Sequence, residues 1–331
     1  GFQPFLKNKK LRIQTSKLLI IGSLPVLISG FCQYFLKMYG PYYFLNNLII
    51  WYQRPLNDGA ITGLFNNPNY AGAWLSIILP LCLTFFIRKI NNKIKTLLIF
   101  LLCLSFILMI ILTTSRGAIL SIFISIYLLS KSMKGKYYIL LSFLSIPIVL
   151  NLIPRISLNL QSLIYNFLPF GLIKKASLIN LSNKDLFPRL EIWGKSFELI
   201  KSNLITGYGA GSFESLYTLS NGRHINIQHS HNIFLELAIN HGLPSSLIIF
   251  SIMIFITVYA WRNNTLSNNY SISDNKNKIF DKAWITAFIS FLVIHSFDIT
   301  YFDGRISTIA WILLAGMISI IKEHSIVNKT S

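Results

Sequence analysis

Apolar residues fall along the chain in long blocks separated by short polar runs, the pattern of a protein that crosses a bilayer repeatedly. Eight blocks are predicted as membrane helices, at about 18–36, 70–88, 96–113, 117–130, 138–153, 233–260, 283–299 and 306–321. Several approach the ~20 residues that a spanning helix needs, while the fourth and fifth are short. The sixth is long and interrupted by Gly242 and Pro244. It reads either as one kinked helix or as a short helix followed by a spanning one. Between the fifth and sixth blocks lies a polar loop of about 78 residues, 154–231. The chain therefore divides into about five N-terminal membrane helices (1–153), the long loop (154–231), and about three C-terminal membrane helices with a tail (232–331). The expected fold class is an all-α polytopic membrane protein.

Composition agrees. Only 12% of residues are charged and 53% are hydrophobic, whereas a soluble domain carries about a quarter charged residues. The 14% aromatic content excludes a disordered chain. A net charge of +19 would point to nucleic acid in a soluble protein, but here it follows topology. With the first basic segment (Lys7, Lys9, Lys10, Arg12, Lys17) in the cytoplasm, 18 of the 30 Lys and Arg fall in short cytoplasmic segments near helix ends. Eight of the other 12 lie in the long loop, and long loops translocate regardless of charge. The long loop is therefore expected outside. The chain begins at Gly1 rather than Met, so further N-terminal helices are expected upstream. Cys32, Cys82 and Cys103 all sit in apolar blocks without CxxC spacing, which supports neither a disulfide framework nor a zinc site.

Polar chemistry collects in and around the external loops. The stretch from Pro188 places Leu190, Trp193, Phe197 and Ile200 at helical spacing opposite Glu191, Lys195, Glu198 and Lys201. It predicts an amphipathic helix lying on the membrane surface or on the bundle. Arg116, in LTTSRGA, reads as a snorkelling interfacial anchor or as a guanidinium that clamps a phosphate. Arg189 reads as a solvated helix charge or as a second such clamp, and spacing alone does not show that the two converge. His229 and His231 in HSHN read as half of a metal site, as a general base, or as a helix cap; no acidic or Cys cluster accompanies them. Asn232 either orients His231 or caps the next helix. Gly207, Gly209 and Gly211 of GYGAGSF make a tight turn or let backbone approach a phosphate. Asn69 lies in GLFNNPNYAG (63–72), a turn-rich lead into the second helix. Glu236, His295 and Asp298 are the few ionisable groups in or beside the later helices, and such scarcity argues against an ion-coupled transport path.

Together, GLFNNPNYAG, LTTSRGA, the stretch from Arg189 into GYGAGSF, and HSHNIFLELAINHGLPS resemble the bacterial O-antigen ligase and polymerase superfamily, in order and topology, over about residues 60 to 320. His231-Asn232, nine further residues and Gly242 meet the family signature; Ser245 stands where it has its last glycine. The resemblance implies a multi-pass inner-membrane glycosyltransferase of the C-type fold class, metal-independent and inverting, with its active face in the periplasm and no cofactor. The donor would be an undecaprenyl-diphosphate-linked glycan, and the acceptor lipid A–core sugar (ligase) or another lipid-linked repeat (polymerase). It implies that Arg116 and Arg189 bind the diphosphate and that His231 activates the acceptor hydroxyl. Asn232, His229, Asn69 and the three glycines are then candidate substrate contacts. A transporter or flippase of lipid-linked sugars is the reading from another class.

Overall fold

The structure, a computed structural model, describes residues 1–330 apart from 52, 54, 55, 57, 58, 89–91, 153–187, 218–226 and 267–271. Most of the first half of the long loop therefore lies outside the described residues. After a short turn of 3-10 helix (Gln3–Leu6), the elements run α1 (Lys9–Gly22), α2 (Leu24–Leu36), the strands β1 (Tyr42–Phe44) and β2 (Ile49–Trp51), α3 (Pro68–Ile87), α4 (Lys93–Leu112), α5 (Arg116–Leu129) and α6 (Met133–Leu152). Then come α7 (Pro188–Ser202), the one-turn α8 (Phe213–Leu216), α9 (Ile233–His241), α10 (Leu243–Leu266), α11 (Ile272–His295) and α12 (Gly304–Thr330). The two strands form one antiparallel hairpin, with Tyr43 opposite Ile50. Everything else described is helix or loop.

Among the described residues, five segments are long and apolar enough to cross a membrane: Lys9–Leu36, Pro68–Ile87, Lys93–Leu112, Leu243–Asn264 and Gly304–Glu323. The protein is a multi-pass membrane protein. The remaining blocks fall in α5, α6 and α11. Helix α5 has 14 residues, or roughly 20 Å, against a hydrocarbon core of about 30 Å. Helix α11 packs against α3, α5, α10 and α12. Screened from lipid in this way, it carries Asp281, Thr286, Ser290 and His295 as buried groups. The interrupted sixth block is two helices, with the break at Gly242 (φ +81). A side chain there would run into the Ile205 carbonyl, so the close approach requires glycine.

Within a bilayer, helices gain little from apolar burial alone and associate through small residues and hydroxyls. Ala71, Ala73, Ala118, Ala283 and Ala287 are buried at these contacts, and the Ser125 and Ser290 hydroxyls meet at 3.2 Å. Gly72 lies where a Cβ would stand 2.9 Å from the Ala118 Cβ and from the Thr113 hydroxyl. That contact brings the first turn of α3 against the first turn of α5. It is the reason Asn69 and Arg116 share one end of the bundle.

A second apolar cluster lies beside the main core, where Ile192, Ile200, Phe213, Tyr217, Leu235, Ala238 and Ile239 pack α7 and α8 onto α9. Helix α7 is amphipathic, and its buried face matches the expected one in part: Ile200 is buried and Trp193 packs against the cluster. Ile192, Ser196 and Ile200 point inward at four-residue spacing, while Leu190 and Phe197 are exposed. The cause is α9: the helix turns toward its largest available apolar partner and leaves the Leu190–Phe197 edge outward.

Candidate functional site

Five segments from distant parts of the chain meet at one end of the bundle. The turn between α4 and α5 is set by its own sequence. Thr113 donates to the Ile110 carbonyl at 2.6 Å, Thr114 takes a left-handed φ of +55°, and α5 restarts at once with Arg116 as its first residue. Asn67 caps α3 by accepting from the Asn69 N–H at 2.8 Å, which fixes Asn69 at the helix entrance. Around these, Arg189 of α7 and Ile294, Phe297 and Asp298 at the end of α11 close a cavity of about 160 Å³. Its walls are Asn69, Thr114, Ser115, Arg116, Gly117, Arg189, Ile294, Phe297 and Asp298. The two arginines that sequence spacing could not bring together thus face one space. Among the described residues neither forms an ion pair. Burial pulls the Arg189 pKa below its ordinary value, with Arg116 acting in the same sense and Asp298 against it. The N-terminus of α5 adds its unpaired N–H groups and positive dipole end to the same wall. The combination suits an anion.

Beside it stands a histidine–aspartate pair. His231 Nδ1 lies 2.8 Å from Asp298 Oδ1, which also accepts from the Ile299 N–H at 2.9 Å. Burial alone would raise the Asp298 carboxyl. The His231 hydrogen bond and the charges of His231, His229 and Arg189 hold it below the ordinary carboxylate range. An ionised carboxylate can only accept, so the proton on the imidazole belongs on Nδ1 and the lone pair on Nε2. This is the arrangement of a general base with an orienting acid.

The backbone around His231 is fixed from several sides. His231 sits at φ +55°, and its N–H donates to His229 Nδ1 at 3.3 Å. The Ser230 N–H donates to the buried Glu236 carboxylate at 2.9 Å, and Trp193 Nε1 donates to the Ser230 carbonyl at 3.1 Å. Asn232 does two jobs: its Oδ1 caps α9 by accepting from Phe234 and Leu235, and its Nδ2 donates to the Ser296 carbonyl at 3.1 Å. That second bond ties the HSHN segment to the end of α11, where Asp298 sits. The His229 ring lies 4.4 Å from the His231 ring. Burial, followed by the neighbouring His231, lowers its pKa to about 4 and keeps it neutral.

The glycine-rich turn does something else. Tyr208 and Gly209 donate to the carbonyls of Ile239 and Asn240, at 2.8 and 3.0 Å, and so cap the C-terminal end of α9. Gly207 (φ +67) lies so close that a Cβ would stand 2.6 Å from the Gly242 nitrogen. Gly207, Gly209 and Gly211 are not among the cavity walls. As for metal, ligand atoms of His229, His231 and Asp298 lie within 4.8 Å of one another. Two imidazoles and one carboxylate suit zinc by type. Yet His231 Nδ1 and Asp298 Oδ1 are bonded to each other, and Arg189 acts on the same groups. The electrostatics favour an anion.

Asp298 is the site residue that motif reading passed over. Its signal was a lone acid just past an apolar helix in a chain with only 11 Asp and Glu, and nothing in the string linked it to His231, 67 residues away. Compared with known proteins, residues 100–250 match the family model described as O-Antigen ligase. No curated protein matches the chain. The matched stretch runs from within α4 into α10 and holds Arg116, Arg189 and His231. That stretch, somewhat under half of the chain, is similar to the O-antigen ligase family, in keeping with the resemblance carried by the motifs.

Proposed function

We propose that this glycosyltransferase-type enzyme moves a glycan from undecaprenyl diphosphate to an acceptor hydroxyl at the periplasmic face of the bacterial inner membrane, in the manner of an O-antigen ligase. The single observation that carries the reading is the His231–Asp298 pair beside a cavity walled by Arg116 and Arg189. The donor's diphosphate lies against the two guanidinium groups and the α5 N-terminus, with Asn69 as a further hydrogen-bonding group at the cavity wall. His231 Nε2 takes the proton of the acceptor hydroxyl as its oxygen attacks the anomeric carbon from the face opposite the diphosphate. The carbon–oxygen bond to the diphosphate breaks, its electron pair stays with undecaprenyl diphosphate, and the anomeric configuration inverts. The proton rests on His231, where Asp298 stabilises the imidazolium.

A diphosphate is already a good leaving group, so the step needs charge neutralisation at its oxygens more than a proton donor. Preorganised guanidinium groups in a partly buried site supply that without metal. His229 and Asn232 hold the base in place, and the glycine turn supports α9 beneath it. The expected topology, eight spans with the long loop outside, supports a site on the face where lipid-linked glycans are exposed.

The test is transfer by purified protein in detergent, with undecaprenyl-diphosphate-linked repeat units as donor and rough lipopolysaccharide as acceptor. A new glycosidic bond, lost in His231→Ala at unchanged folding, is the expected result. Full transfer by that variant overturns the role of His231, and no product from wild type with either rough lipopolysaccharide or lipid-linked repeats overturns the reading. Product on lipid-linked repeats alone makes the enzyme a polymerase.

A further inference from the structure

A run of aromatic rings leads away from the base on the side that the anion cavity does not use. The Phe291 and His295 rings lie 4.0 Å apart, His295 and Tyr301 6.2 Å, Tyr301 and Phe302 4.6 Å, Phe302 and His229 6.0 Å, and His229 and His231 4.4 Å. All but one ring of this run is buried or half-buried. His295 is fully buried, held by the Phe291 carbonyl at 2.8 Å and the Thr300 hydroxyl at 3.1 Å. Phe302 is the exception, with half of its surface exposed.

Its turn is nevertheless rigid. The Asp303 N–H donates to the Thr300 carbonyl at 3.1 Å, and the Asp303 carboxylate holds the Arg305 guanidinium at 2.6 Å and its N–H at 2.9 Å. Arg305 in turn lies 3.8 Å over the Phe65 ring and donates to the Leu64 carbonyl at 3.1 Å. The structure thus fixes one open aromatic face, two ring contacts from His231 and outside the anion cavity. An open ring held in place one ring away from His231 is positioned to contact a ligand there.

We infer that Phe302, backed by Tyr301, is the platform on which the acceptor saccharide stacks. The inference rests on the transferase reading above. The C–H bonds of one face of a pyranose carry partial positive charge and meet the negative face of an aromatic ring. A sugar ring on Phe302 brings a hydroxyl of the same or the adjoining residue to His231, while the donor's diphosphate lies in the cavity beyond Asp298. Donor and acceptor thereby approach the base from different sides, as a single displacement demands.

The experiment is steady-state transfer by purified wild type, Phe302→Ala, Phe302→Leu and Phe302→Tyr. Undecaprenyl-diphosphate-linked repeat units serve as donor, with rough lipopolysaccharide and lipid-linked repeats as acceptors in separate assays. The Ala and Leu variants are expected to raise the acceptor KM about 3- to 10-fold, with kcat and the donor KM near wild type, while Tyr restores the wild-type value. An acceptor KM unchanged in Leu assigns Phe302 to lipid or packing and overturns the platform. So does a loss of kcat and melting temperature shared by all three variants. Absence of transfer by wild type to either acceptor instead overturns the reading on which the platform rests.

Discussion

The two ends of helix α11 carry buried charge in opposite states. Near its start, Arg12 of α1 is almost wholly buried yet meets Asp281 at 3.1 Å and Glu323 of α12 at 2.5 Å, with Lys9 3.8 Å from Asp281. Just past its other end, roughly 20 Å along the helix, Arg116 and Arg189 share a cavity with one carboxylate, and that carboxylate is engaged by His231. The first cluster is closed: cations and anions compensate one another and clasp α1, α11 and α12 together. The second leaves guanidinium groups facing space. Arg116 is exposed and Arg189 partly buried; desolvating a charge without a partner is costly, so it is above all Arg189 that a ligand of opposite charge would compensate. Charge balance and burial together separate Arg12 from the two arginines of the candidate site.

The sharpest way to break this comparison is Asp298→Asn. Loss of the acceptor for Nδ1–H lets the imidazole take the wrong tautomer, and transfer should fall about 10³-fold or more with the melting temperature little changed. Equal loss of stability and activity would make Asp298 structural, like Asp281. Next comes Arg12→Ala, expected to destabilise the fold by about 3 kcal/mol because it removes the buried guanidinium that Asp281 and Glu323 share. Chemical denaturation in mixed micelles measures this, and transfer per folded molecule should stay at the wild-type level. Pairing Arg12→Met with Asp281→Asn should recover much of the loss.

Arg189→Lys sharpens the other side. A point charge without the planar fork should lower transfer about 10-fold, and Arg189→Ala about 100-fold, neither with more than a small change in stability. The smallest effect concerns pH. Folded His229 takes a proton only near about 4, against an ordinary 6.5, so the unfolded chain binds more protons between those values. Its contribution to stability is full above about 6.5 and is lost as pH falls toward about 4. Thermal melts of wild type and His229→Asn across that window should show a shallower decline in the variant.

The long apolar blocks carried the membrane class, and the break at Gly242 was visible as Gly242 and Pro244 inside one block. Arg116, Arg189 and His231 stood out because few polar residues flank those blocks. Convergence was hidden, since it depends on Gly72 letting α3 meet α5 and on Asn232 reaching the Ser296 carbonyl. Asp298 was hidden for the same reason. The seventh block is found as helix α11, which also carries buried polar groups because its neighbours shield it. The GYGAG string read as a tight turn or as a backbone approach to phosphate, and its Tyr208 and Gly209 amides bond to the end of α9. A glycine string records that backbone comes close to something, and not to what.

The most direct measurement is a lipopolysaccharide ladder from a strain lacking this gene, complemented with wild type or with His231→Ala at matched membrane levels. Wild type should restore the polymer-bearing ladder, while His231→Ala should leave bare core with undecaprenyl-linked polymer accumulating. Core carrying a single repeat would identify a polymerase at the same site. A full ladder from His231→Ala would contradict the account.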